Sequence, residues 1–193
     1  MLFRSGRQGL AIAYEALKAG ADVTVVVGAT DPFELPGATV IHVASAREMQ
    51  EELTREFSDA DALVMAAAVA DFRVAEESSA KIKKNDLSQL TLIRNNDIVA
   101  TLGSTKKADQ VVVAFAAETS SDLVSLAEEK LRSKNADFIF ANDVSHGAIF
   151  GEERTTGLLI GMDSAPKRFD NDTKFDVARE IVNAIADKLE RNG

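Results

Sequence analysis

The apolar positions of the chain follow two alternating periods. Short, continuous apolar runs such as residues 61–68 and 111–116 are typical of strands that are buried in a sheet. Between such runs, apolar residues recur three or four positions apart, which predicts amphipathic helices. The clearest helix is the last, where apolar side chains line one face from Phe175 to Leu189. Strands that alternate with helices predict an α/β fold with a mainly parallel sheet and helices on both of its faces.

Turn and cap residues indicate where these elements begin and end. Ser45 and Glu48 have the spacing of a capping box at a helix start, and Gly20 is typical of a helix end. Residues 71–86 are predicted to be irregular, and no linker or repeat divides residues 1–193, which are predicted to form one domain. The predicted helices are residues 6–20, 45–57, 98–102, 122–132 and 175–189, and the predicted strands are residues 22–28, 39–43, 61–68, 87–94 (half-exposed), 111–116, 136–141 and 157–160.

The composition excludes several classes of protein. The 193 residues include no cysteine, which excludes disulfide bonds, thiolate metal sites and cysteine nucleophiles. A net charge of −9 argues against a nucleic-acid partner, because the phosphates would be repelled. The longest apolar run, residues 62–70, is about half a membrane span, and the chain start lacks the apolar segment of a signal peptide. We therefore expect a cytoplasmic protein with no membrane partner.

Candidate chemistry lies at the ends of three predicted strands. Each of them ends in small residues that are followed by a polar side chain, and these side chains are Asp71, Glu118 and Asn142. In parallel α/β sheets, ligands bind at the carboxyl ends of the strands. Capping of the next helix is the alternative role for such residues. Three similar strand ends together favour a ligand site.

Lysines form local groups in this acidic chain. Lys81, Lys83 and Lys84 stand together, and Lys130 and Lys134 lie one helical turn apart. A local reversal of charge suits a polyanionic small ligand such as a nucleoside triphosphate. The alternative is that both groups belong to solvated faces, with the helical pair matched to neighbours such as Glu129.

The remaining polar features give weaker signals. Gly6 and Gly9 flank a predicted helix start, where backbone N–H groups attract phosphate, but the complete dinucleotide fingerprint is lacking. His42 and His146 have no neighbouring ligand pattern, so a structural zinc site is not expected. Magnesium that is held mainly by substrate phosphates needs few protein ligands and remains compatible with the sequence.

Six motifs, in their order and spacing, resemble those of one family. They are Ser5-Gly6-Arg7-Gln8-Gly9, Ala67-Ala68-Val69-Ala70-Asp71-Phe72-Arg73, Lys81-Ile82-Lys83-Lys84, Asn95-Asn96-Asp97-Ile98-Val99, Phe115-Ala116-Ala117-Glu118-Thr119 and Ala141-Asn142-Asp143-Val144. Together they resemble phosphopantothenoylcysteine synthetase, the ligase half of the bacterial bifunctional enzyme of coenzyme A synthesis. The resemblance extends from about Ser5 to the last helix and implies a Rossmann-like fold.

The resemblance also implies a reaction and its partners. Members of this family activate the carboxylate of 4′-phosphopantothenate with CTP, with release of pyrophosphate and formation of an acyl-cytidylate. The amine of cysteine then displaces CMP. The implied cofactor is Mg²⁺, which accompanies CTP, and the implied assembly is a homodimer.

Site residues follow from the resemblance position by position. Lys81 is the implied catalytic residue, which contacts the triphosphate and stabilises developing charge. Gly6 and Asn142 are implied contacts of the phosphopantothenate substrate. The other implied residues form the CTP site: Ala66, Ala67, Asp71, Asn96, Asp97, Ile98, Val99, Phe115, Lys130 and Lys134.

The sequence departs from the family pattern at its start. The family has a strand ahead of the Ser-Gly motif and an asparagine that handles the acyl-cytidylate, whereas Leu2 falls at that position here and Arg4 replaces a serine. We therefore expect a ligase domain without the family's first strand and without the decarboxylase half. The alternative is a non-catalytic nucleotide-binding homologue that has lost the active-site asparagine. A nicotinamide-dependent oxidoreductase is a third possibility, which the missing fingerprint disfavours.

Overall fold

Helices and strands alternate through the part of the chain that the computed structural model describes, which is residues 6–76, 89–119, 122–145, 153–162 and 164–192. The helices in these ranges are α1 (Arg7–Lys18), α2 (Ala46–Phe57), α3 (Ile98–Thr105), α4 (Leu123–Ser133) and α5 (Lys174–Asn192). The strands are β1 (Thr24–Val27), β2 (Thr39–His42), β3 (Ala62–Met65), β4 (Phe72–Val74), β5 (Leu92–Arg94), β6 (Val111–Glu118), β7 (Phe138–Asp143), β8 (Arg154–Gly161) and β9 (Lys167–Thr173).

Five of these strands form one mixed sheet in the order β3-β6-β7-β8-β9. β3, β6 and β7 are parallel to one another, whereas β8 and β9 are antiparallel to their neighbours. The segment between β8 and β9 is too short for the crossover that a parallel pair requires. β1 and β2 form a separate parallel pair, and β4 and β5 form an antiparallel hairpin. The predicted Rossmann-like α/β fold is confirmed, with a parallel half and an antiparallel half in its main sheet.

The sheet carries one apolar core on each face, because successive strand residues point to opposite sides. Val112 and Ala114 of β6 pack in the core that α2, α3 and α4 cover, here called the α3–α4 face. Val111 and Val113 pack in the core that α1 and α5 cover, here called the α1–α5 face. All four side chains are fully buried. These faces determine which functional side chains can meet.

The predicted capping box at the start of α2 is confirmed. The backbone N–H of Glu48 donates to Ser45 Oγ at 3.2 Å, and Glu48 Oε2 accepts from the backbone N–H of Ala44 at 2.7 Å. The side chain thus reaches one residue further back than in the standard motif. One backbone donor of the first turn and one that precedes the N-cap are satisfied in this way.

Other predictions need correction. The apolar pattern does not predict β9, because Phe169 is its one fully buried residue and the others are mostly charged or polar. Such charges protect an edge strand from pairing with other molecules. Residues 71–86 are not wholly irregular, since β4 lies within them, while residues 77–86 fall outside the described ranges. The strand predicted over residues 87–94 is present in its described part as β5, but its predicted half-exposure is wrong, because both Leu92 and Ile93 are exposed.

None of the described helices combines the length and the apolarity that a membrane span requires.

Candidate functional site

The ends of β3, β6 and β7 meet at one edge of the sheet. Glu118 and Asp143, the last residues of β6 and β7, are direct partners in the ladder, and Ala117 is the partner of Asn142. β3 ends earlier along the sheet, because its last residue, Met65, pairs with Ala114. β6 continues for four residues beyond that point. Ala66 and Ala67 follow β3, and Ala66 is half-buried whereas Ala67 is exposed. The predicted parallel arrangement holds for these three strands, so their carboxyl ends face the same edge of the sheet.

The first turn of α1 lies beside the end of β3. Gly6, the residue before α1, has a φ of +69°, and a Cβ there would come within 3.1 Å of Thr30 Cγ2. A Cβ on Gly9 would lie 3.7 Å from the Cβ of Ala66, which is ordinary contact. The backbone N–H groups of this first turn therefore stand at the same edge as the strand ends.

Gln8 is a site candidate that sequence reasoning missed. Its Nε2 donates to the backbone carbonyl of Lys174 at 3.2 Å, which fixes the orientation of the amide. Its Oε1 is buried and has no hydrogen-bond partner among the described residues. A buried acceptor without a partner is costly, so it is a place where a donor from a ligand would be favourable.

The two predicted lysines, Lys130 in α4 and Lys134 at its C-cap (together called the α4 lysines), each form an ion pair with a carboxylate from another element. Lys130 Nζ contacts Glu118 at the end of β6, and Lys134 Nζ lies 2.7 Å from Asp97 Oδ2. Among the ion pairs of the described residues, the partners of these lysines are therefore Glu118 and Asp97 and not Glu129, which was the alternative. We call these four side chains the lysine–carboxylate group. Because each cation is already balanced, a bound phosphate has to share it with a carboxylate or displace that carboxylate.

Asp97 links the helix α3 to this group. One carboxylate oxygen accepts from the backbone N–H of Ala100 at 3.0 Å and caps α3, while the other accepts from Lys134. Partial burial raises the pKa of the Asp97 carboxyl, but the hydrogen bonds from Lys134 and Ala100 outweigh burial and hold the pKa below its usual value. A lowered pKa means that this stabilisation is present above the unfolded-state pKa and is lost as the pH falls through the folded-state value.

The Asn95-Asn96 pair, which precedes the cap, is held from two sides. Asn95 Nδ2 donates to the carbonyl of Ala70 at 2.8 Å, and its Oδ1 accepts from Arg73 at 2.8 Å. Asn96 Nδ2 donates to Gln50 of α2 at 3.4 Å. Asn95 therefore fastens the base of the β4–β5 hairpin to the segment after β3. Asp71, at the same hairpin base, has an exposed side chain, and its backbone carbonyl accepts from the Asn95 N–H at 2.8 Å.

Three of the predicted nucleotide residues have their side chains in the cores. Ile98 and Val99 are buried in the core of the α3–α4 face. The Phe115 ring packs against Phe140 with centroids 5.5 Å apart, in the core of the α1–α5 face. The sheet therefore separates this ring from Lys130 and Lys134. Contacts of these three residues with a ligand would have to use their backbone groups or, for Phe115, the other face.

Asn142 lies at the edge of the α1–α5 face, because it alternates in step with Phe140 along β7. Its Oδ1 accepts from the hydroxyl of Thr155 at 2.9 Å, and its Nδ2 donates to the carbonyl of Ala116 at 3.5 Å. Thr155 is buried, with 3% of its surface exposed. Sequence reasoning missed Thr155, although a threonine pair that opens an apolar strand is a signal for a polar role.

Some predicted features lie outside this geometry. Lys81, Lys83, Lys84 and His146 fall outside the described residues. Among the ranges that are described, no group of three or more histidine and carboxylate side chains could hold a metal ion. The predicted residues that follow the strand ends or stand at the helix starts beside them are Gly6, Ala66, Ala67, Asp71, Asn96, Asp97 and Asn142. Lys130 reaches this edge through Glu118, whereas Lys134 lies at the C-terminal end of α4, close to the start of β7, and only its ammonium extends to Asp97.

Comparison with known proteins identifies relatives of the chain. The family model for the DNA/pantothenate metabolism flavoprotein C-terminal domain matches residues 3–189. The coenzyme A biosynthesis bifunctional protein CoaBC of Borreliella burgdorferi is 36% identical over 183 residues, which are 94% of this chain and 46% of that protein. The chain thus spans about half the length of the curated relatives it matches.

Solved structures show the same fold. A crystal structure of the C-terminal domain of a CoaBC protein is 33% identical, with a TM-score of 0.81 over 97% of this chain and 84% of that one. A structure of Cab2 mutant H337A in complex with phosphopantothenate-cysteine is 13% identical, with a TM-score of 0.73 over 97% and 79%. At that identity the second likeness shows the fold alone.

Proposed function

Because the chain belongs to the DNA/pantothenate metabolism flavoprotein C-terminal domain family, we propose that it ligates cysteine to 4′-phosphopantothenate with consumption of CTP, in coenzyme A biosynthesis. The relatives that carry the name of a coenzyme A biosynthesis protein support the pathway. The phosphopantothenate-cysteine that is bound in the more distant Cab2 structure is in line with the product. CTP as the nucleotide rests on the six-motif resemblance.

One observation carries the proposal: two different polar groups lie at the same sheet edge on opposite faces. The lysine–carboxylate group lies on the α3–α4 face, where its cations can hold a triphosphate. Asn142 lies on the α1–α5 face, together with the N-terminus of α1. A nucleotide on the first face and a phosphorylated acid on the second would bring their reacting ends together above the short strand β3. Such positioning is a large part of catalysis when two anions must meet.

The CTP site is assigned as follows. Lys130 and Lys134 bind the phosphates, while Asn96 and Asp97 form part of the nucleotide pocket at the start of α3. Backbone groups of Ile98 and Val99 contribute, since their side chains are buried. Phe115 contributes through its backbone, because its half-buried ring packs on the α1–α5 face, across the sheet from Lys130 and Lys134. The cytidine portion lies against Ala66, Ala67 and Asp71. Lys81, from the motif outside the described residues, stabilises the charge that develops on the triphosphate.

The proposed chemistry has two steps. A carboxylate oxygen of phosphopantothenate attacks the α-phosphorus of CTP, the bond to the β-phosphate oxygen breaks, and pyrophosphate leaves with that electron pair. The amine of cysteine then attacks the acyl carbon, loses a proton, and CMP departs. The described residues supply cations and backbone donors, which suits a reaction that needs charge neutralisation rather than a protein nucleophile. Gly6 and Asn142 hold the phosphopantothenate.

Magnesium is proposed to arrive with the nucleotide. The described residues contain no cluster of three side chains that could ligate a metal. Mg²⁺ that takes most of its ligands from phosphates and water does not require such a cluster. When bound, Mg²⁺ would neutralise charge on the triphosphate. No residue of the chain is assigned as its ligand.

The reaction is tested by its products. Pyrophosphate should be released from CTP when phosphopantothenate is present, and CMP should appear in full only when cysteine is added. Omission of each substrate in turn is the control. Binding of CTP without release of pyrophosphate would contradict the ligase and support the non-catalytic nucleotide-binding alternative. Binding of NAD in place of CTP would contradict both.

We also propose that the chain forms a homodimer, as the family resemblance implies. The β4–β5 hairpin exposes four large apolar side chains, here called the apolar hairpin: Phe72, Leu90, Leu92 and Ile93. Exposed apolar groups of this kind mark interaction sites. The hairpin also joins the segment after β3 through Asn95, so an interface there would be continuous with the site.

The dimer is tested with a charge in the apolar hairpin. Leu92→Lys should convert a dimer into a monomer in sedimentation velocity, because a buried unpaired charge is costly at an interface. Met162→Lys is the matched control, since Met162 is equally exposed but lies in the turn after β8. A monomeric unaltered chain, or a Leu92→Lys variant that stays dimeric, would refute this assignment.

A further inference from the structure

We infer that Thr155 is a positioning residue that orients the Asn142 amide for the phosphorylated substrate. The inference rests on the proposed function, because it takes Asn142 as a substrate contact. Thr155 belongs to none of the six motifs, and it lies on β8, an antiparallel strand outside the parallel part of the sheet. Its role follows from hydrogen bonds that the described residues make.

The orientation of the Asn142 amide is determined by its two neighbours. The Ala116 carbonyl can only accept, so the NH₂ group of Asn142 must face it. Oδ1 is then directed at Thr155, whose hydroxyl donates to it at 2.9 Å. A flipped amide would place two oxygens against each other at Ala116. The NH₂ group of Asn142 has two N–H donors, and the one that does not bond to Ala116 remains available for a ligand at the strand ends.

The local backbone of β8 brings Thr155 to this place. Gly157 is the ladder partner of Asn142, and a Cβ there would come 2.5 Å from the Ala141 carbonyl oxygen. β8 therefore packs against β7 more closely than a side chain at Gly157 would allow. The pairing of β8 with β9 is irregular between Thr155 and Gly157, where β9 contains an extra residue. The extra residue is on β9, so β8 keeps its regular alternation, which places Thr155 on the same face as Gly157 and Leu159 and Thr156 on the opposite face.

Thr156 provides the contrast. Its hydroxyl accepts from the backbone N–H of Asn171, which has a φ of +57° in the bulged part of β9. The Thr156 hydroxyl thus satisfies a donor that the bulge leaves out of the ladder, and its hydrogen bond is to β9 rather than to Asn142. Of these two adjacent hydroxyls, that of Thr155 therefore bonds to the proposed substrate residue Asn142, and that of Thr156 bonds to the backbone of the edge strand β9. Removing one hydroxyl at a time therefore distinguishes an effect on the orientation of the Asn142 amide from an effect on protein stability.

The decisive experiment compares Thr155→Val with Thr156→Val, since each removes one hydroxyl and keeps the shape. Thr155→Val should raise the KM for phosphopantothenate roughly 10-fold, because an Asn142 amide that is no longer held in orientation loses its hydrogen bond to the charged ligand, and should leave the KM for CTP unchanged. Thr155→Ser should restore the unaltered KM. Thr156→Val should lower the melting temperature and leave both KM values unchanged.

A second measurement needs no substrate. The side-chain NH₂ resonances of Asn142, observed by NMR, should move in Thr155→Val and stay in place in Thr156→Val. If both variants leave these resonances and the KM for phosphopantothenate unchanged, the inference is wrong although the proposed function stands. If the resonances move as expected but the unaltered chain neither binds nor consumes phosphopantothenate, the proposed function fails, and with it the substrate role of Thr155.

Discussion

Replacement of Gly103 by alanine should destabilise the protein by about 2 kcal/mol or more. A Cβ at this position would lie 2.2 Å from the carbonyl oxygen of Lys134 and 3.1 Å from that of Asn135. Both atoms belong to the backbone, so neither can move aside without shifting the end of α4. Overpacking of this kind costs about 1–3 kcal/mol and occasionally more, while alanine returns up to about 1 kcal/mol through its better helix propensity. The steric cost should exceed that gain, because α3 and α4 would have to separate.

Urea unfolding measures this effect, and Gly9→Ala is the matched control. Gly9 also lies in a helix, but a Cβ there would meet the Ala66 side chain at an ordinary 3.7 Å. Gly9→Ala should therefore leave the free energy of unfolding unchanged or raise it by up to about 1 kcal/mol. If Gly103→Ala were as stable as the unaltered chain, the close packing of α3 on α4 would be incorrect.

The same contact bears on the proposed nucleotide site. Gly103 belongs to the helix that Asp97 caps, and Lys134, which bonds to Asp97, supplies the carbonyl that a new Cβ would strike. A shift of α3 away from α4 would therefore lengthen the Asp97–Lys134 ion pair. We infer that Gly103 is needed both for the packing and for the geometry of the lysine–carboxylate group.

Much of the fold could be predicted because its signals are local. The capping box at Ser45 depends on residues three apart, and the buried strands β3, β6 and β7 are continuous apolar runs. The common edge of the strand ends followed from parallel topology alone. β9 could not be predicted in this way, since its position at the edge of the sheet lets it carry charges that hide the strand pattern.

The site was less predictable because its decisive contacts are distant in sequence. Lys134 pairs with Asp97 across 37 positions, and Thr155 reaches Asn142 only because β8 returns antiparallel to β7. Successive strand residues point to opposite faces of the sheet, and Phe115 therefore points to the α1–α5 face. The sheet thus lies between its ring and the α4 lysines. Motif spacing places residues at the right edge of the sheet, but it does not tell which of them share a face.

Loss of both α4 lysines should have the largest effect on the proposed nucleotide site. Lys130→Met and Lys134→Met each remove a cation and keep the apolar stem, and each should weaken CTP binding roughly 10-fold, as expected for a charge-assisted hydrogen bond. The double variant should be weakened about 100-fold if the two contacts act independently. Calorimetric titration with CTP measures these affinities directly, and the KM for phosphopantothenate should change much less.

Lys106→Met is the matched control, because it separates the loss of a phosphate contact from the loss of an ion pair. Lys106 bonds to Asp137 of another element, and its side chain is 20% exposed, as is that of Lys134. Its ammonium lies at Asp137, just before β7, whereas the Lys134 side chain extends from the C-terminal end of α4 to Asp97 at the start of α3. Lys106→Met should therefore lower stability about as much as Lys134→Met and leave CTP affinity unchanged. Equal losses of CTP affinity in the two variants would show that the α4 lysines act through folding, and the assignment of the triphosphate to the α3–α4 face would then be wrong.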